Sequence, residues 1–168
     1  MNSAADERAV VVEICRVAAE ITGDEIRARV ARSRATNCPE HCVTSVSHTH
    51  ALTVLACAPV RVGVDVELVR EHPYLDRLAQ RAMTDAEWLQ WRNGSERTRG
   101  FTQHWTRVEA YLKAIGVGVG GGLRTRPPVS WTVLDLDVGP THCGALAVEA
   151  GGLPVQVAWR VLPVRPDA

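Results

Sequence analysis

The sequence is short of lysine and carries no excess of charge. Eighteen of its nineteen basic residues are arginine, and the exception is Lys113. Nineteen acidic residues balance them, so no broad electrostatic field favours nucleic acid or a membrane surface. No apolar run approaches the roughly 20 residues of a membrane-spanning helix, and residues 10–14 are too short a run for a secretory signal. We therefore expect a cytoplasmic protein that binds neither nucleic acid nor membrane.

Cysteine is present in an odd number, which argues against a disulfide framework. The five residues are Cys15, Cys38, Cys42, Cys57 and Cys143. Without a recognisable secretory signal they predict reduced thiols. Cys38, His41 and Cys42, with His48 and His50 nearby, raise the question of zinc. That spacing matches the four ligands of a structural zinc site only weakly. We therefore interpret these cysteines and histidines as ordinary loop residues.

Length and composition predict one compact domain. The chain has 168 residues, 46% apolar and 23% charged, which is ordinary for a globular protein with a buried core. Helical spacing and strict alternation of apolar residues distinguish predicted helices from predicted strands. The predicted helices are residues 6–21, 24–31, 84–91 and 96–115, and the predicted strands are residues 43–47, 51–57, 61–69, 129–138, 144–150 and 155–164. This order indicates an α+β fold that ends in an antiparallel meander.

Two local signals set the boundaries of the central helices. Thr84 and Glu87 have the spacing of a capping box, which begins a helix. The glycine-rich residues 116–122 end the long helix and leave a flexible loop. This loop does not match a phosphate-binding loop, because no Gly-Lys-Ser/Thr follows it.

One predicted strand and one predicted helix carry the residues best suited to chemistry. Asp65 and Glu67 are two apart on a strand, so both carboxylates leave the same face. Glu109 and Lys113 are four apart on a helix and also share a face. If the helix crosses that strand, three carboxylates suit Mg²⁺ and the ammonium lies beside metal-bound phosphates. Taken separately, each pair is more often an exposed surface pair.

Three short segments follow one another in a characteristic order. They are residues 45–49 (SVSHT), residues 63–67 (GVDVE) and residues 105–116 (WTRVEAYLKAIG), with a glycine-rich stretch ending at Leu123. In sequence and spacing they resemble the Sfp-type 4′-phosphopantetheinyl transferases, over roughly residues 32–123. The position of the serine–histidine segment resembles that type rather than the shorter, trimeric holo-acyl-carrier-protein synthases, and we expect a monomer.

The resemblance implies an activity, a cofactor and partners. Such enzymes transfer the 4′-phosphopantetheine arm of coenzyme A to a serine of an acyl or peptidyl carrier protein and release adenosine 3′,5′-bisphosphate. The resemblance also implies Mg²⁺ as cofactor and a place in secondary metabolite biosynthesis. The implied fold has two similar halves, here residues 1–62 and 63–168, related by a pseudo-two-fold axis with coenzyme A between them.

The resemblance also implies roles for single residues. Asp65, Glu67 and Glu109 match the acidic residues that hold Mg²⁺, and the implied catalytic residues are Glu109 and Lys113. Lys113 also matches a lysine beside the coenzyme A phosphates. His48 matches a histidine that contacts the 3′-phosphate, and Ser47 beside it is a second candidate for binding coenzyme A. Glu87 matches an acidic residue at the start of a central helix.

Two departures from the family pattern leave other functions open. Val108 stands where the family usually has lysine, with Arg107 as a candidate substitute, and the family's Gly-Lys-Pro segment is absent before Val43. A homologue that has lost catalysis and acts as a binding or regulatory partner would show such changes. A metal-dependent phosphohydrolase could use the same carboxylates, although the sequence offers no separate water-activating histidine near them.

Arginines between the two acidic segments indicate how an acidic carrier protein would be recognised. They are Arg77, Arg81, Arg92, Arg97 and Arg99. If part of this set faces the cleft, it would steer an acidic helix toward coenzyme A. The neighbouring aromatic residues on the helices are predicted to be core, with Trp88 or Trp91 as the alternative apolar anchor for the carrier.

Overall fold

The computed structural model describes residues 9–18, 42–49, 52–118 and 122–162. Its strands are β1 (Val10–Ala18), β2 (Val43–Thr49), β3 (Leu52–Ala58), β4 (Val62–Leu68), β5 (Thr132–Leu136), β6 (His142–Val148) and β7 (Val155–Leu162). Within the described residues, its helices all lie between β4 and β5: α1 (Leu75–Ala82), α2 (Asp85–Arg92) and α3 (Arg97–Ile115). This mixture confirms the α+β class. The helix predicted at residues 24–31 and the cysteine–histidine loop before Cys42 lie outside the described residues.

Two sheets face each other across the main core. One has the strand order β2-β3-β1-β7, and the other has the order β4-β6-β5. Alternate residues of each sheet point inward, so Val12, Ile14 and Val54 from the first sheet meet Val64 and Leu146 from the second. All five are essentially inaccessible to solvent. The opposite face of the second sheet is therefore left for the helices.

The prediction of a helix over residues 6–21 was wrong in the described part, which is the strand β1. Val10, Ile14 and Val17 have helical spacing, but Val10, Val12 and Ile14 equally have the alternation of a strand. Tertiary pairing decides between the two patterns, because β1 is hydrogen-bonded on both sides, to β3 and to β7. A run of β-branched residues also favours the strand.

The predicted C-terminal meander was also wrong in its last strand. The strands β5 and β6 pair antiparallel as predicted, but β7 leaves that sheet. It pairs parallel with β1, with Val10 opposite Val155 and Val17 opposite Leu162. A pairing between residues so far apart in sequence leaves no local signal, and β7 completes the first sheet instead of the second.

The strand β4 is buried on both faces, where the alternation had predicted one. Val62, Val64 and Val66 enter the core between the sheets, while Gly63 and Asp65 are buried on the opposite side. The helix α3 covers that side and approaches so closely that a Cβ on Gly63 would lie 2.0 Å from the carbonyl oxygen of Ala110. Glycine is required here for the close approach of two backbones.

The two sheets are joined along β2 and β4 by serine side chains. The backbone amide of Val64 donates to the hydroxyl oxygen of Ser45 at 3.1 Å. The amide of Val66 donates to that of Ser47 at 3.2 Å. The edge of β4 that lacks a neighbouring strand in its sheet is thus capped by side chains of β2, which satisfies amides that burial would otherwise leave unpaired.

The three helices form a second, smaller core. Thr84 and Glu87 make both hydrogen bonds of the predicted capping box at the start of α2. The helix α1 was missed because it spans only 8 residues directly after a proline-containing turn. The cluster contains Ala79, Ala82, Met83, Trp91 and Phe101. Among the described helices, none is both long and apolar enough to cross a membrane.

The prediction that all five cysteines are reduced thiols was wrong for Cys57, which is disulfide-bonded. Cys15, Cys42 and Cys143 are free. Burial raises the pKa of the thiols of Cys15 and Cys143 above the ordinary value, so both are poor nucleophiles. A count of cysteines cannot reveal which sulfur atoms the fold brings together.

We predict that Gly63→Ala strongly destabilises the protein. The new methyl would also lie 2.6 Å from the amide nitrogen of Ala114, so α3 would have to move off the sheet. Overpacking of this kind costs about 3 kcal/mol, equivalent to a fall in Tm of roughly 6–12 °C for a chain of this size. Thermal unfolding measures it.

The matched control is Gly100→Ala, within α3 and exposed. Its new methyl would meet the Trp91 ring at 3.3 Å, while alanine favours a helix by about 1 kcal/mol over glycine. We expect its Tm to stay within a few degrees of the parent. An equal fall for both variants would show that the contact at Gly63 is not special.

Candidate active site

The last turn of α3 positions Lys113. Gly116 ends the helix in the left-handed conformation, with φ of 75°, which a residue with a side chain adopts at a cost. The amide of Val117 then donates to the carbonyl of Leu112 at 3.1 Å. A cation in the last turn is stabilised by the helix dipole. The glycine that ends the helix thus leaves the ammonium of Lys113 one turn before it, over β4.

Lys113, Asp65 and Ser47 form a closed triangle of hydrogen bonds. The Nζ of Lys113 lies 2.6 Å from Oδ1 of Asp65 and 3.0 Å from Oγ of Ser47. The Oγ of Ser47 donates to the same Oδ1 at 2.9 Å. Each residue comes from a different element, α3, β4 and β2, so the triangle lies where the two sheets and the long helix meet.

Asp65 is a buried carboxylate with one oxygen left over. Its side chain is only 4% exposed. Burial raises its pKa above the ordinary value, against the opposing effects of Lys113, Ser47 and the Val66 amide. Its Oδ2 is buried and has no hydrogen-bond partner among the residues that the structure describes. An unsatisfied buried oxygen is costly, so this atom is a natural acceptor for a bound cation or donor.

Glu67 and Glu109 share the electrostatic environment of Asp65. Burial raises the pKa of both above the ordinary value, and the charge of Asp65 raises it further. Glu67 in turn raises the pKa of Glu109, while Lys113 opposes the shift in each. The helix therefore crosses the acidic face of β4, and the two halves of the predicted site lie together.

The donor chemistry of these residues fits Mg²⁺, which prefers carboxylate oxygens. The Oδ2 atom of Asp65, which has no hydrogen-bond partner among the described residues, could be a metal ligand. Glu67 and Glu109 are half-buried beside it. Within the described ranges, no three acidic, histidine or cysteine side chains are already arranged to hold a metal ion. The metal set of Asp65, Glu67 and Glu109 therefore stays a prediction.

A cavity of about 260 Å³ is lined on one side by Glu67. Its residues combine one carboxylate, two basic groups and a mainly apolar wall. They are Glu67, Leu68, Arg70, His72, Leu75, Leu78, Phe101, Thr102 and Trp105. A mainly apolar pocket with a few polar groups at one end is typical of a small-molecule site.

The predicted coenzyme A residues on β2 point in opposite directions. Ser47 is buried and faces the triangle, whereas His48 is exposed, as expected for neighbours on a strand. Sequence reasoning placed both at a ligand, but it missed the hydrogen bonds from Ser47 to Asp65 and Lys113. A signal was present, because Ser45 and Ser47 alternate on a strand like Asp65 and Glu67.

Arg107 does not replace the positive charge that the family usually carries at position 108. Its guanidinium donates twice to the carboxylate of Asp135, at 2.7 and 2.6 Å. Asp135 lies on β5, which β6 separates from β4 and its Asp65. Val108 is buried, with 5% of its surface exposed. The site thus has Lys113 as its helical cation, without a second one from these two positions.

Glu87 has a structural role. It accepts from the amide and the hydroxyl of Thr84 and from the guanidinium of Arg126. Burial pushes its pKa up, but the hydrogen bonds from Arg126 and Thr84 outweigh burial and lower the pKa to about 2. Glu87 thus ties the start of α2 to the segment that follows the glycine-rich loop.

The expected carrier-docking residues are largely engaged within the chain. Trp91 is 9% exposed and donates from its indole nitrogen to the carbonyl of Arg97, so it belongs to the core. Arg97 pairs with Asp76, and Arg99 donates to the carbonyl oxygens of Pro140 and His142 at the start of β6. Trp88 is half-buried beneath the guanidinium of Arg92. Arg77 and Arg81 are exposed and remain available to a partner.

A family model described as the 4′-phosphopantetheinyl transferase superfamily matches residues 61–162. A putative 4′-phosphopantetheinyl transferase of Synechocystis sp. is 41% identical over 64 residues, which are 37% of this chain and 26% of that protein. The 4′-phosphopantetheinyl transferase HetI of Nostoc sp. is 30% identical over 124 residues, 64% of this chain and 51% of that protein.

A third relative is a holo-[acyl-carrier-protein] synthase of Anaplasma marginale. It is 35% identical over 75 residues, which are 40% of this chain and 62% of that protein. The chain thus spans about a quarter of the Synechocystis protein and about half of the Nostoc protein.

We predict that Lys113→Met destabilises the protein at pH 7. The substitution leaves the carboxylate of Asp65 buried without its counter-charge. The cost should be about 1–3 kcal/mol, below that of a fully buried pair because Lys113 is 31% exposed. Urea denaturation measures it. The double variant Asp65→Asn/Lys113→Met should recover most of the loss. A double variant as unstable as Lys113→Met would contradict this account.

Because the pKa of Glu87 is lowered, we predict that the protein loses stability in acid. Because its pKa is lowered from 4.5 to about 2, its contribution is present above pH 4.5 and disappears as the pH falls toward 2. At pH 7 the parent should exceed Glu87→Gln in stability by about 1 kcal/mol. Urea denaturation between pH 7 and the acid range should show this gap closing. A gap that stays constant would remove the ionised carboxylate from the explanation.

Proposed function

The chain belongs to the 4′-phosphopantetheinyl transferase superfamily, and we propose that it transfers the 4′-phosphopantetheine arm of coenzyme A to a serine of an acyl or peptidyl carrier protein. The observation that carries the proposal is the contact of Lys113 with Asp65, 2.6 Å apart. It joins the two segments that are typical of the family, residues 63–67 and 105–116, at one buried site.

In the proposed reaction one bond forms and one breaks. The hydroxyl oxygen of the carrier serine attacks the phosphorus that bears the pantetheine arm. The bond from that phosphorus to the oxygen of adenosine 3′,5′-bisphosphate breaks, and this nucleotide leaves. Glu109 is the proposed acceptor of the serine proton, and the ammonium of Lys113 stabilises the negative charge on the leaving phosphate.

Mg²⁺ is the proposed cofactor, held by Asp65, Glu67 and Glu109. When bound, it would neutralise charge on the pyrophosphate of coenzyme A. The support is the free Oδ2 of Asp65 and the raised pKa of all three carboxylates, which comes from burial and, for Glu67 and Glu109, also from the charge of Asp65. A cation would relieve both.

Coenzyme A is proposed to extend from β2 to the cavity beside Glu67. The exposed His48 would contact the 3′-phosphate, next to Ser47 on the same strand. Lys113 would lie at the pyrophosphate. The apolar wall formed by Leu75, Phe101 and Trp105 suits the pantetheine arm better than a nucleotide phosphate.

The proposed partner is an acidic carrier protein. Arg77 and Arg81 on α1 are exposed and close in sequence to the wall of the cavity, so they could steer an acidic helix to the arm.

We further propose a cytoplasmic monomer that serves secondary metabolism. Its two halves, residues 1–62 and 63–168, would be related by a pseudo-two-fold axis.

One observation favours a second candidate, a homologue that binds partners without catalysis. Val108 is buried and Arg107 is committed to Asp135, so the charge usual in the family at position 108 has no replacement from either residue. If that charge is essential for turnover, coenzyme A or the carrier would bind without reaction.

We predict that coenzyme A, an apo carrier protein and Mg²⁺ give holo-carrier and adenosine 3′,5′-bisphosphate. Mass spectrometry of the carrier and chromatography of the nucleotide measure the two products. Chelation of Mg²⁺ should abolish both. Binding of coenzyme A without mass gain would favour the non-catalytic homologue, and cleaved nucleotide with unmodified carrier would favour a phosphohydrolase.

In the same assay, Lys113→Met should lower turnover at least ~100-fold, the usual scale for an acid–base or charge-stabilising group. The matched control is Arg107→Met, which removes a positive charge from the same helix at a residue that pairs with Asp135 on β5. It should keep turnover within a few-fold of the parent. Equal losses would mean that helix charge in general, rather than Lys113, supports the reaction.

A further inference from the structure

The hydroxyl of Ser47 uses its full hydrogen-bonding capacity within the protein. It receives one hydrogen bond from the amide of Val66 at 3.2 Å and one from the ammonium of Lys113 at 3.0 Å. Both are groups that only donate, so they occupy the two lone pairs of the oxygen. The single hydroxyl proton is therefore directed to Oδ1 of Asp65, at 2.9 Å. Ser47 itself is only 5% exposed.

We propose that Ser47 is a positioning residue that holds the ammonium of Lys113 on Asp65, and that its hydroxyl makes no contact with coenzyme A. A hydroxyl with all three positions in use has nothing left to offer a ligand. The kinetic consequence of this inference rests on the proposed transferase function, whereas the geometry does not.

The positioning works through the direction of a single N–H bond. An ammonium has three N–H groups, and among the described residues Nζ of Lys113 has two partners, Asp65 and Ser47. Two fixed hydrogen bonds determine where the third N–H of a tetrahedral group points. Without Ser47 the ammonium could rotate about its contact with Asp65, and the remaining N–H would lose its aim at a reacting phosphate.

Ser45 provides an internal comparison. It lies two residues earlier on β2, faces the same side, and caps the amide of Val64 as Ser47 caps that of Val66. It has no hydrogen bond to Asp65 or Lys113 in this structure. A role shared by both serines is the joining of β2 to β4, while a role confined to Ser47 is the placement of the ammonium.

The kinetic test compares Ser47→Ala with Ser45→Ala in the transfer assay. Ser47→Ala should lower kcat by about 10- to 100-fold, the scale for a lost hydrogen bond to a charged group, and leave KM for coenzyme A nearly unchanged. Ser45→Ala should keep kcat within a few-fold of the parent. Ser47→Thr, which retains the hydroxyl, should restore most of kcat. A rise in KM for coenzyme A with kcat kept would overturn the proposal, as would equal losses of kcat in both alanine variants.

A second measurement does not depend on activity. Lys113 is the only lysine of the chain, so an amine-reactive ester followed by peptide mass spectrometry reports on it alone among side chains. Releasing the ammonium from Ser47 should make Lys113 react about 10-fold faster in Ser47→Ala than in the parent, and Ser45→Ala should match the parent. Equal reactivity of Lys113 in the parent and in Ser47→Ala would overturn the proposal.

The two measurements separate the inference from the proposed function. If the parent protein transfers no arm, the transferase function fails, and the labelling rates still decide the role of Ser47. If Ser47→Ala does not fold, Ser47→Cys is used in both experiments, because a thiol fills the space but hydrogen-bonds weakly. The same changes in kcat and labelling are expected from it, and the same results would overturn the proposal.

Discussion

The site depends on the direct contact of a helix with a strand at Gly63. Without a side chain at that position, the backbone of α3 comes within van der Waals distance of β4, where a Cβ would overlap the Ala110 carbonyl. Because side chains two residues further along β4 share the same face, Asp65 then lies under the last turns of the helix. Every contact of Lys113 follows from that approach, and a bulkier strand residue would lift the ammonium away from the carboxylate.

The same approach creates an electrostatic problem that the protein solves only in part. Burial raises the pKa of Asp65, Glu67 and Glu109, and the charge of Asp65 raises it further for the two glutamates, so ionising all three destabilises the folded state. One ammonium, Lys113, and one hydroxyl, Ser47, oppose this effect. Such an arrangement is expected of a binding site, because carboxylates that are unfavourable when buried together become favourable when a cation is added.

Local patterns predicted which charged side chains lie together better than they predicted the architecture. The face-sharing pairs, Asp65 with Glu67 and Glu109 with Lys113, could be read from strand and helix periods, since each is set within a few residues. The strand β1 and the place of β7 in the first sheet could not be predicted in this way. These two strands pair with each other across about 145 residues. Ser47 was missed as a partner of Lys113 for the same reason: its bonds join three distant segments.

The parallel pairing of β1 with β7 has a consequence for how the chain folds. Val10 and Val155 must come together across the whole intervening sequence. A contact with so large a sequence separation is slow to form. Until it forms, β1 is an edge strand with unpaired amides and carbonyls, open to pairing with another molecule. During synthesis the first sheet cannot be completed before β7 has left the ribosome. Among the described strands, the last to be synthesised therefore protects the first.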